Sequence, residues 1–216
     1  MLPNAPFALT ECMEKLIEDL FMPKDAEIEN LKQHTFKMPE KKMRITDVQG
    51  QFLAFIIKAF CIKNIIEIGT YTGTSTLYMA KSLPVNGKII TLDKNPEWTK
   101  IACDFWERAG VSHKIKLILG DALDSLTALP MDHFDFVFID ADKKNYEAYF
   151  EQSLKKLVKN GHFVIDNICL NGKLSFESDD KLVKKLISFY LFLKNDDRIT
   201  ITFLPIHDGM LWGRKL

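Results

Sequence analysis

The sequence predicts a single α/β domain built on a doubly wound, largely parallel sheet. Short apolar runs alternate with amphipathic stretches from Ile65 onward, and several of these runs are apolar at consecutive positions. Consecutive apolar positions are typical of strands that are covered on both faces. Repeated strand–helix–strand units imply parallel strands that are joined by helical crossovers.

The predicted strands and helices follow one another in order. Parallel strands are expected at residues 65–68, 88–92, 115–119, 134–139 and 162–165. Helices are expected at residues 75–81, 96–109, 145–158 and 179–193. Asn95 is a good cap for the second of these helices, with Pro96 at its first position. Gly110 and Gly161 lie where helices are expected to stop.

Both ends of the chain depart from this alternation. Residues 1–60 predict a helical N-terminal cap with a loop around residues 37–43, and residues 61–216 predict the core with the sheet. Near the C-terminus, Asp208 and Gly209 separate two strand-like runs, which indicates a hairpin. The mostly parallel sheet should therefore end in an antiparallel hairpin strand. No linker divides residues 1–216.

Length, charge and cysteine use narrow the class of protein. The 216 residues suit one domain with a large core. The 29 basic and 29 acidic residues balance, which argues against a partner that is a nucleic acid. No apolar run reaches the roughly 18 residues that a membrane span needs, and the first residues lack the pattern of a secretory signal. The four separated cysteines are expected to be free thiols in a reducing cytoplasm.

A glycine turn follows the first predicted strand. Glu67 lies near the end of that strand, Gly69, Thr70 and Gly73 follow, and Ser75 opens the next helix. Glycine lets the backbone approach a ligand closely, and amides at a helix start face the crevice at the carboxyl edge of the sheet. The pattern is not G-x-G-x-x-G, which disfavours a dinucleotide.

Acidic residues also follow the second and third predicted strands. Asp93 is placed to accept hydrogen bonds from a ribose diol. Asp121 and Ala122 lie where an adenine ring would meet small residues and an acid. The alternative is that the glycines only turn the chain and that Asp93 only caps a helix. Taken together, the pattern favours an adenosyl cofactor that carries no pyrophosphate.

Oxygen ligands follow the fourth and fifth predicted strands. Asp140 comes directly after one of these strands, and Asp166 and Asn167 come directly after the other. If the strands are neighbours, these side chains converge at one edge of the sheet. Two carboxylates and an amide oxygen suit Mg²⁺, with Mn²⁺ and Ca²⁺ as alternatives. No cysteine or histidine joins them, which disfavours zinc.

Lys143 is the candidate catalytic base, because it lies three residues beyond Asp140. It would take a proton from a hydroxyl that the metal has made more acidic. The alternative is that Lys143 and Lys144 form an ordinary solvated pair. Asp142 has two possible roles, which are hydrogen bonding on the cofactor side and orientation of Lys143.

These residues match a known family. The chain resembles the cation-dependent class I O-methyltransferases, which include the caffeoyl-coenzyme A and catechol O-methyltransferases. The resemblance is carried by Met43, residues 50–53, residues 67–75, residues 138–146, Asp166 with Asn167, and residues 204–209. It implies a Rossmann-like, seven-stranded sheet with an antiparallel last strand, S-adenosylmethionine as cofactor, and a homodimer.

The resemblance also implies roles for single residues. It implies contacts with S-adenosylmethionine for Glu67, Gly69, Ser75, Asp93 and Ala122, with Asp142 nearby. It implies that Asp140, Asp166 and Asn167 hold the metal, that Lys143 is the base, and that Asn171 and Asp208 lie near the acceptor. The departures from the family pattern are Ile45, Leu170 and His207. These departures concern the acceptor pocket, so they affect the substrate more than the reaction.

We therefore predict metal-assisted methylation of a small, catechol-like ortho-dihydroxyphenol. The acceptor hydroxyls would chelate the metal, Lys143 would remove a proton, and the oxygen would attack the sulfonium methyl group in line. The expected partner is this small phenol, with no nucleic acid and no membrane. The alternatives are a non-catalytic protein that binds S-adenosylmethionine or metal, and a nicotinamide-dependent oxidoreductase.

Overall fold

The computed structural model describes residue 13, residue 16 and residues 19–216. The expectations about a secretory signal and about Cys12 lie outside these residues, as does most of the first 18 residues of the predicted helical cap. Within the described part, the remaining three cysteines (Cys61, Cys103 and Cys169) are free thiols. No helix there is long and apolar enough to cross a membrane.

Between residue 22 and the sheet lie two helices, α1 (Ala26–Thr35) and α2 (Asp47–Ala59), with a 3₁₀ turn at Lys41–Met43 between them. The Asp25 carboxylate caps α1 by accepting hydrogen bonds from the first-turn amides. Thr46 and Gln49 form a capping box at the start of α2, in which each side chain bonds the backbone of the other residue. The predicted loop around residues 37–43 therefore lies between two well-capped helices.

Seven strands form one sheet. They are β1 (Asn64–Ile68), β2 (Lys88–Asp93), β3 (Ile115–Leu119), β4 (Phe134–Ile139), β5 (Leu157–Ile165), β6 (Ile199–Leu204) and β7 (Met210–Lys215). Their order is β3-β2-β1-β4-β5-β7-β6. The first five strands pair in parallel, whereas β7 pairs antiparallel with both β5 and β6. The predicted fold class, including the antiparallel C-terminal strands, is confirmed.

Helices cover both faces of the sheet. The crossover helices are α3 (Thr74–Ser82), α4 (Pro96–Arg108), α5 (Ala122–Ala128), α6 (Tyr146–Lys156) and α7 (Lys181–Lys194). One apolar core joins α1 to α4 with the sheet, and a second core joins α5, α6 and α7 with its other face. Because both faces are covered, the central strands are apolar at consecutive positions.

The strand order reverses at β1, which has β2 and β3 on one side and β4 and β5 on the other. In open α/β sheets, ligands bind in the crevice outside the carboxyl ends of the strands at such a reversal. Ile68, at the end of β1, pairs with Leu92 of β2 and with Ile139 of β4. The residues that follow these three strand ends therefore surround one crevice.

Two predicted boundaries were wrong around Gly161. The helix predicted at residues 145–158 ends at Lys156, and β5 starts at Leu157, so Gly161 lies inside a strand and does not stop a helix. Leu157 pairs with Phe134, but the register shifts before His162 pairs with Phe136. The interruption explains the error, because it leaves only residues 162–165 as an unbroken strand pattern. Helix α5, with seven residues, was not predicted.

Candidate active site

A cavity of about 580 Å³ lies at the carboxyl edge of the sheet, where the strand order reverses. The turn after β1 and the residues that follow β2, β3, β4 and β5 line it, together with residues 42–45 before α2 and residues 207–208 in the β6–β7 turn. The predicted site residues that line it are Gly69, Thr70, Ser75, Asp93, Asp121, Ala122, Asp140, Asp142, Lys143, Asp166, Asn167, Asn171 and Asp208. Glu67 and Gly73 lie outside the lining.

The turn after β1 is tied to the end of β2. The Asp93 carboxylate accepts hydrogen bonds from the backbone amides of Thr70 (2.9 Å) and Tyr71 (2.8 Å) through Oδ2, and from Asn95 (2.9 Å) through Oδ1. Oδ2 has both of its lone pairs in use, whereas Oδ1 keeps one, and Asp93 is only half-buried at the cavity wall. Asp93 therefore shapes the glycine turn, and its role toward a ribose stays a prediction.

Gly69 is required by close backbone contact. Its φ is +96°, and a Cβ atom at this position would collide with the backbone carbonyl oxygen of Asp140. Left-handed backbone of this kind is strained for any residue with a side chain. The absence of a side chain at Gly69 therefore lets the β1 turn and the end of β4 lie against each other beside the cavity.

The Gly69→Ala substitution should weaken binding of S-adenosylhomocysteine. Backbone strain and the collision with Asp140 should cost about 1–3 kcal/mol, which corresponds to a roughly 5- to 150-fold higher Kd if the cavity wall shifts. Calorimetric titration of both proteins measures this change. Gly110→Ala is the matched control, because Gly110 also has a positive φ (+69°) but meets nothing within 4 Å and lies outside the cavity lining. Equal Kd values for Gly69→Ala and the wild type would contradict the prediction.

Glu67 is fully buried on β1, behind the cavity wall. Its carboxylate accepts hydrogen bonds from the hydroxyls of Ser75, Thr76 and Thr91. Burial raises the pKa of Glu67 to about 7, although the three hydroxyls oppose this shift. Since Ser75 lines the cavity, Glu67 reaches the cofactor region through that hydroxyl, and a direct contact with the cofactor stays a prediction.

The raised pKa of Glu67 gives a pH-dependent stability. Between the ordinary value of 4.5 and the folded value of about 7, the folded state holds more protons than the unfolded state, so stability should fall as pH rises through this window. The Glu67→Gln variant lacks this titration, so its free energy of unfolding relative to the wild type should rise by roughly 3 kcal/mol from pH 4.5 to 7.5. Urea unfolding across this range, without ligands, tests it. A difference that does not change with pH would contradict it.

The region predicted for the adenine lies between β2 and β3. The Asp121 carboxylate caps α5 by accepting from the amides of Leu123 (2.8 Å) and Asp124 (3.4 Å), so this acid has a structural role as well. Trp98 and Tyr71 also line the cavity and pack edge to face, with ring centroids 5.1 Å apart. These two aromatic residues were not predicted as site residues.

Asp140, Asp166 and Asn167 meet because β4 and β5 are neighbours in register. The Asp140 amide bonds the Ile68 carbonyl (2.9 Å), and the Asp166 amide bonds the Ile139 carbonyl (3.0 Å). These bonds continue the ladders beyond the strand ends. Within the part of the chain that the structure describes, the Asp140 carboxylate accepts no hydrogen bond, so its acceptor capacity faces the cavity.

The electrostatics of these residues fit a divalent cation. Burial raises the pKa of Asp166 to about 8, with the Asp140 charge as a further cause, and burial also raises the pKa of Asp140. Two carboxylates that repel each other at a cavity floor would both gain from a cation. Residues 19–216 contain no group of three His, Cys, Asp or Glu side chains that could hold a metal ion. A cation bound by Asp140 and Asp166 would need a different third protein ligand, for which the sequence predicts the Asn167 oxygen. Mg²⁺ commonly takes few carboxylates, with water or substrate oxygens as the remaining ligands.

Lys143 is held above these residues by two hydrogen bonds. Its Nζ atom donates to the Asn167 Oδ1 atom (3.1 Å) and to the Tyr146 hydroxyl (3.0 Å). Tyr146 is fully buried and donates its own hydroxyl to the Asp166 carbonyl (2.9 Å). Burial, with the neighbouring carboxylates, raises the pKa of Tyr146 well above its ordinary value, so this hydroxyl stays protonated.

Asp142 forms no hydrogen bond with Lys143 among the residues that the structure describes. Its two oxygens accept hydrogen bonds from the Tyr149 hydroxyl (2.6 Å) and from the Asn145 amide nitrogen (2.8 Å). Of the two roles that the sequence left open, orientation of Lys143 belongs instead to Tyr146 and Asn167. The role on the cofactor side stays a prediction.

The two residues predicted near the acceptor are in direct contact. The Asp208 carboxylate accepts a hydrogen bond from the Asn171 amide (2.7 Å), so the β6–β7 turn is fastened to the loop after β5. His207 is exposed beside them and lines the cavity. Its charge is close enough to lower the pKa of Asp140, against the larger effect of burial.

The chain is similar to known O-methyltransferases along most of its length. The O-methyltransferase family model matches residues 21–216. Caffeoyl-CoA O-methyltransferase 1 of Zea mays is 37% identical over 215 residues, covering 93% of this chain and 83% of that protein. Caffeoyl-CoA O-methyltransferase of Petroselinum crispum is 37% identical over 216 residues, covering 93% of this chain and 89% of that protein.

Solved structures of O-methyltransferases superimpose on the whole fold. The enzyme from Bacillus cereus, in complex with S-adenosylhomocysteine, is 30% identical with a TM-score of 0.87, covering 95% of this chain and 97% of that chain. An O-methyltransferase of Streptomyces achromogenes involved in tomaymycin synthesis, in complex with S-adenosylmethionine, is 25% identical with a TM-score of 0.85. It covers 94% of this chain and 95% of that chain.

Proposed function

Because this chain belongs to the O-methyltransferase family and uses S-adenosylmethionine as its methyl donor, we propose that it methylates a catechol-like acceptor at a divalent cation. The predicted reaction class is confirmed by the family. It replaces the alternative of a nicotinamide-dependent oxidoreductase. The acceptor and the cation are proposed.

The observation that carries the proposal is the arrangement at the ends of β4 and β5. Asp140, Asp166 and Asn167 would hold the cation, and Lys143 donates a hydrogen bond to the Asn167 oxygen at 3.1 Å. When bound, a divalent cation would supply Lewis acidity toward a phenol oxygen and a template for two adjacent oxygens. An ortho-dihydroxyphenol provides such a pair of oxygens.

The side chains of this protein would prepare the acceptor for attack. Lys143, held by Tyr146 and Asn167, would accept the proton of one phenol hydroxyl. The phenol oxygen then forms a bond to the methyl carbon as the bond from that carbon to sulfur breaks. The turn from Gly69 to Tyr71, which Asp93 holds through two backbone amides, would position the methyl donor for this attack. Such positioning is worth up to about 7–11 kcal/mol in favourable cases.

A second candidate acceptor is a catechol that is carried on an anionic thioester. The relatives from Zea mays and Petroselinum crispum are named for caffeoyl-CoA. Several basic residues line the cavity in this chain, among them Lys42, Arg44 and Lys144. Arg44 is also engaged by Asp47 at 2.9 Å, so the exposed Lys42 and Lys144 are better placed to meet an anionic tail.

Release of S-adenosylhomocysteine from S-adenosylmethionine tests the proposal. The assay uses a panel of ortho-dihydroxyphenols and caffeoyl-CoA, each with Mg²⁺ and with excess EDTA, and matched monohydroxy compounds as controls. We expect turnover that needs both the second hydroxyl and the metal. Turnover that persists in EDTA would remove the cation from the mechanism, and turnover of the monohydroxy controls would remove chelation.

A further inference from the structure

The side chain of Gln49 links helix α2 to Asp166, a residue 117 positions away in the sequence. Gln49 is fully buried and lies in the lining of the cavity. Its Nε2 atom donates to both carboxylate oxygens of Asp166, at 2.8 Å to Oδ1 and 2.6 Å to Oδ2. Nothing in the sequence pattern around Asp166 indicated this partner.

The capping box of α2 fixes the orientation of the Gln49 amide. Its Oε1 atom accepts hydrogen bonds from the Thr46 amide (2.8 Å) and from the Thr46 hydroxyl (2.9 Å). The oxygen end of the amide is therefore occupied at the helix start, and the nitrogen end must face Asp166. Because an amide has two donor hydrogens and no charge, it can hold a carboxylate without competing with a cation for charge.

The Asp166 carboxylate keeps room for another ligand. Oδ1 accepts from Gln49 and also from the Asn167 amide (2.7 Å), whereas Oδ2 accepts from Gln49 alone. A carboxylate oxygen has two lone pairs, so Oδ2 retains one. Gln49 and the Asn167 amide together hold the carboxylate in one orientation with that lone pair unused.

The same capping box anchors the cavity wall that precedes α2. Met43 ends the 3₁₀ turn, Arg44 and Ile45 lead from it to Thr46, and all three line the cavity. Arg44 is fastened to Asp47 in the first turn of α2. A shift of the Asp166 side chain would therefore also shift residues 43–45, because Gln49 and Thr46 connect them by hydrogen bonds.

We propose that Gln49 is a positioning residue for the cation site, and that it couples cation binding to the order of residues 41–49. The inference rests on the cation of the proposed function. Groups that orient metal ligands typically contribute about 10- to 100-fold to metal affinity. Gln49 has the geometry of such a group, since it contacts Asp166 and is itself held by Thr46.

Binding of Mn²⁺ followed by electron paramagnetic resonance measures this without turnover. We expect Gln49→Met, which keeps the length of the side chain but removes both polar ends, to raise the Kd for Mn²⁺ about 10- to 100-fold. Gln51→Met is the matched control, because Gln51 lies on the same helix, donates its side-chain hydrogen bond to the Phe21 carbonyl and is outside the cavity lining. Its Kd should match that of the wild type. The Kd for S-adenosylhomocysteine should stay within twofold in all three proteins.

Hydrogen exchange tests the coupling to the cavity wall. Mn²⁺ should slow amide exchange in residues 41–49 of the wild type and of Gln51→Met, and have little effect there in Gln49→Met. A purely structural role of Gln49 would change exchange equally with and without Mn²⁺. That result would overturn the coupling.

The outcomes separate this inference from the proposed function. A wild-type protein that takes up no Mn²⁺ overturns the cation of the proposed function, and this inference with it. Normal uptake by the wild type with an unchanged Kd in Gln49→Met overturns the inference alone. If Gln49→Met does not fold, Thr46→Val loosens the amide anchor and leaves Gln49 in place. It should weaken Mn²⁺ binding severalfold, and an unchanged Kd would again overturn the inference.

Discussion

Asp140→Ala should lower kcat/KM about 1,000-fold, since a metal that polarises the reacting oxygen is worth several kcal/mol and each 1.36 kcal/mol is about tenfold in rate. Asp140 is one of two carboxylates at the proposed cation site, and no described group donates a hydrogen bond to it. Steady-state kinetics with saturating Mg²⁺ and the best acceptor measure the loss.

The same substitution should leave the fold intact. Removal of the Asp140 carboxylate leaves no described hydrogen-bond donor without its acceptor. It also removes the charge repulsion that helps to raise the pKa of Asp166. The Tm should therefore not fall. Asp104→Ala, at an exposed position on α4, is the control for the loss of one carboxylate. Near-normal turnover of Asp140→Ala would rule out the metal-centred mechanism.

Lys143→Met should lower kcat by about 100- to 10,000-fold, the usual contribution of a general base, while binding of S-adenosylhomocysteine stays close to normal. The reason is that Lys143 is the amine placed by Tyr146 and Asn167 beside the cation ligands. Single-turnover rates with preloaded S-adenosylmethionine separate the chemical step from release of product.

Lys143→Arg distinguishes proton transfer from a purely electrostatic role. Arginine keeps the positive charge but stays protonated, so it cannot accept the phenol proton. We expect Lys143→Arg to be as impaired as Lys143→Met. Substantial activity in the arginine variant would show that the positive charge, and not proton removal, is what Lys143 supplies. Lys155→Met, at an exposed position on α6, controls for the loss of a lysine.

The acidic site residues that directly follow strands could be predicted, because the sequence pattern that marks them is local. An apolar run that ends in Asp93, Asp140 or Asp166 marks both a strand and the polar group that it delivers to the sheet edge. The parallel order of strands then brings these groups together. The glycine turn could also be predicted, because Gly69 and Gly73 directly follow the apolar run of β1. The structure adds the reason for Gly69, since a Cβ atom there would collide with the Asp140 carbonyl oxygen.

The partners of these residues could not be predicted in this way. Gln49 meets Asp166 across 117 positions, and its capping box with Thr46 is a local feature that does not indicate this distant partner. Tyr146 was visible in a motif, but its bond to Lys143 depends on how the 3₁₀ turn leads into α6. The predicted contact of Glu67 with the cofactor stays a prediction, and the three hydroxyls that donate to its buried carboxylate were not predicted as its partners.

The two sides of the cavity come from different parts of the chain. The proposed donor and cation groups follow the parallel strands, whereas residues 42–45, before α2, and residues 207–208, in the β6–β7 turn, also line the cavity. These two segments could be exchanged without altering the sheet edge that carries the donor and cation groups. Replacing both segments with those of a relative that uses another acceptor should transfer its substrate preference. The residues after the parallel strands should still carry out methyl transfer.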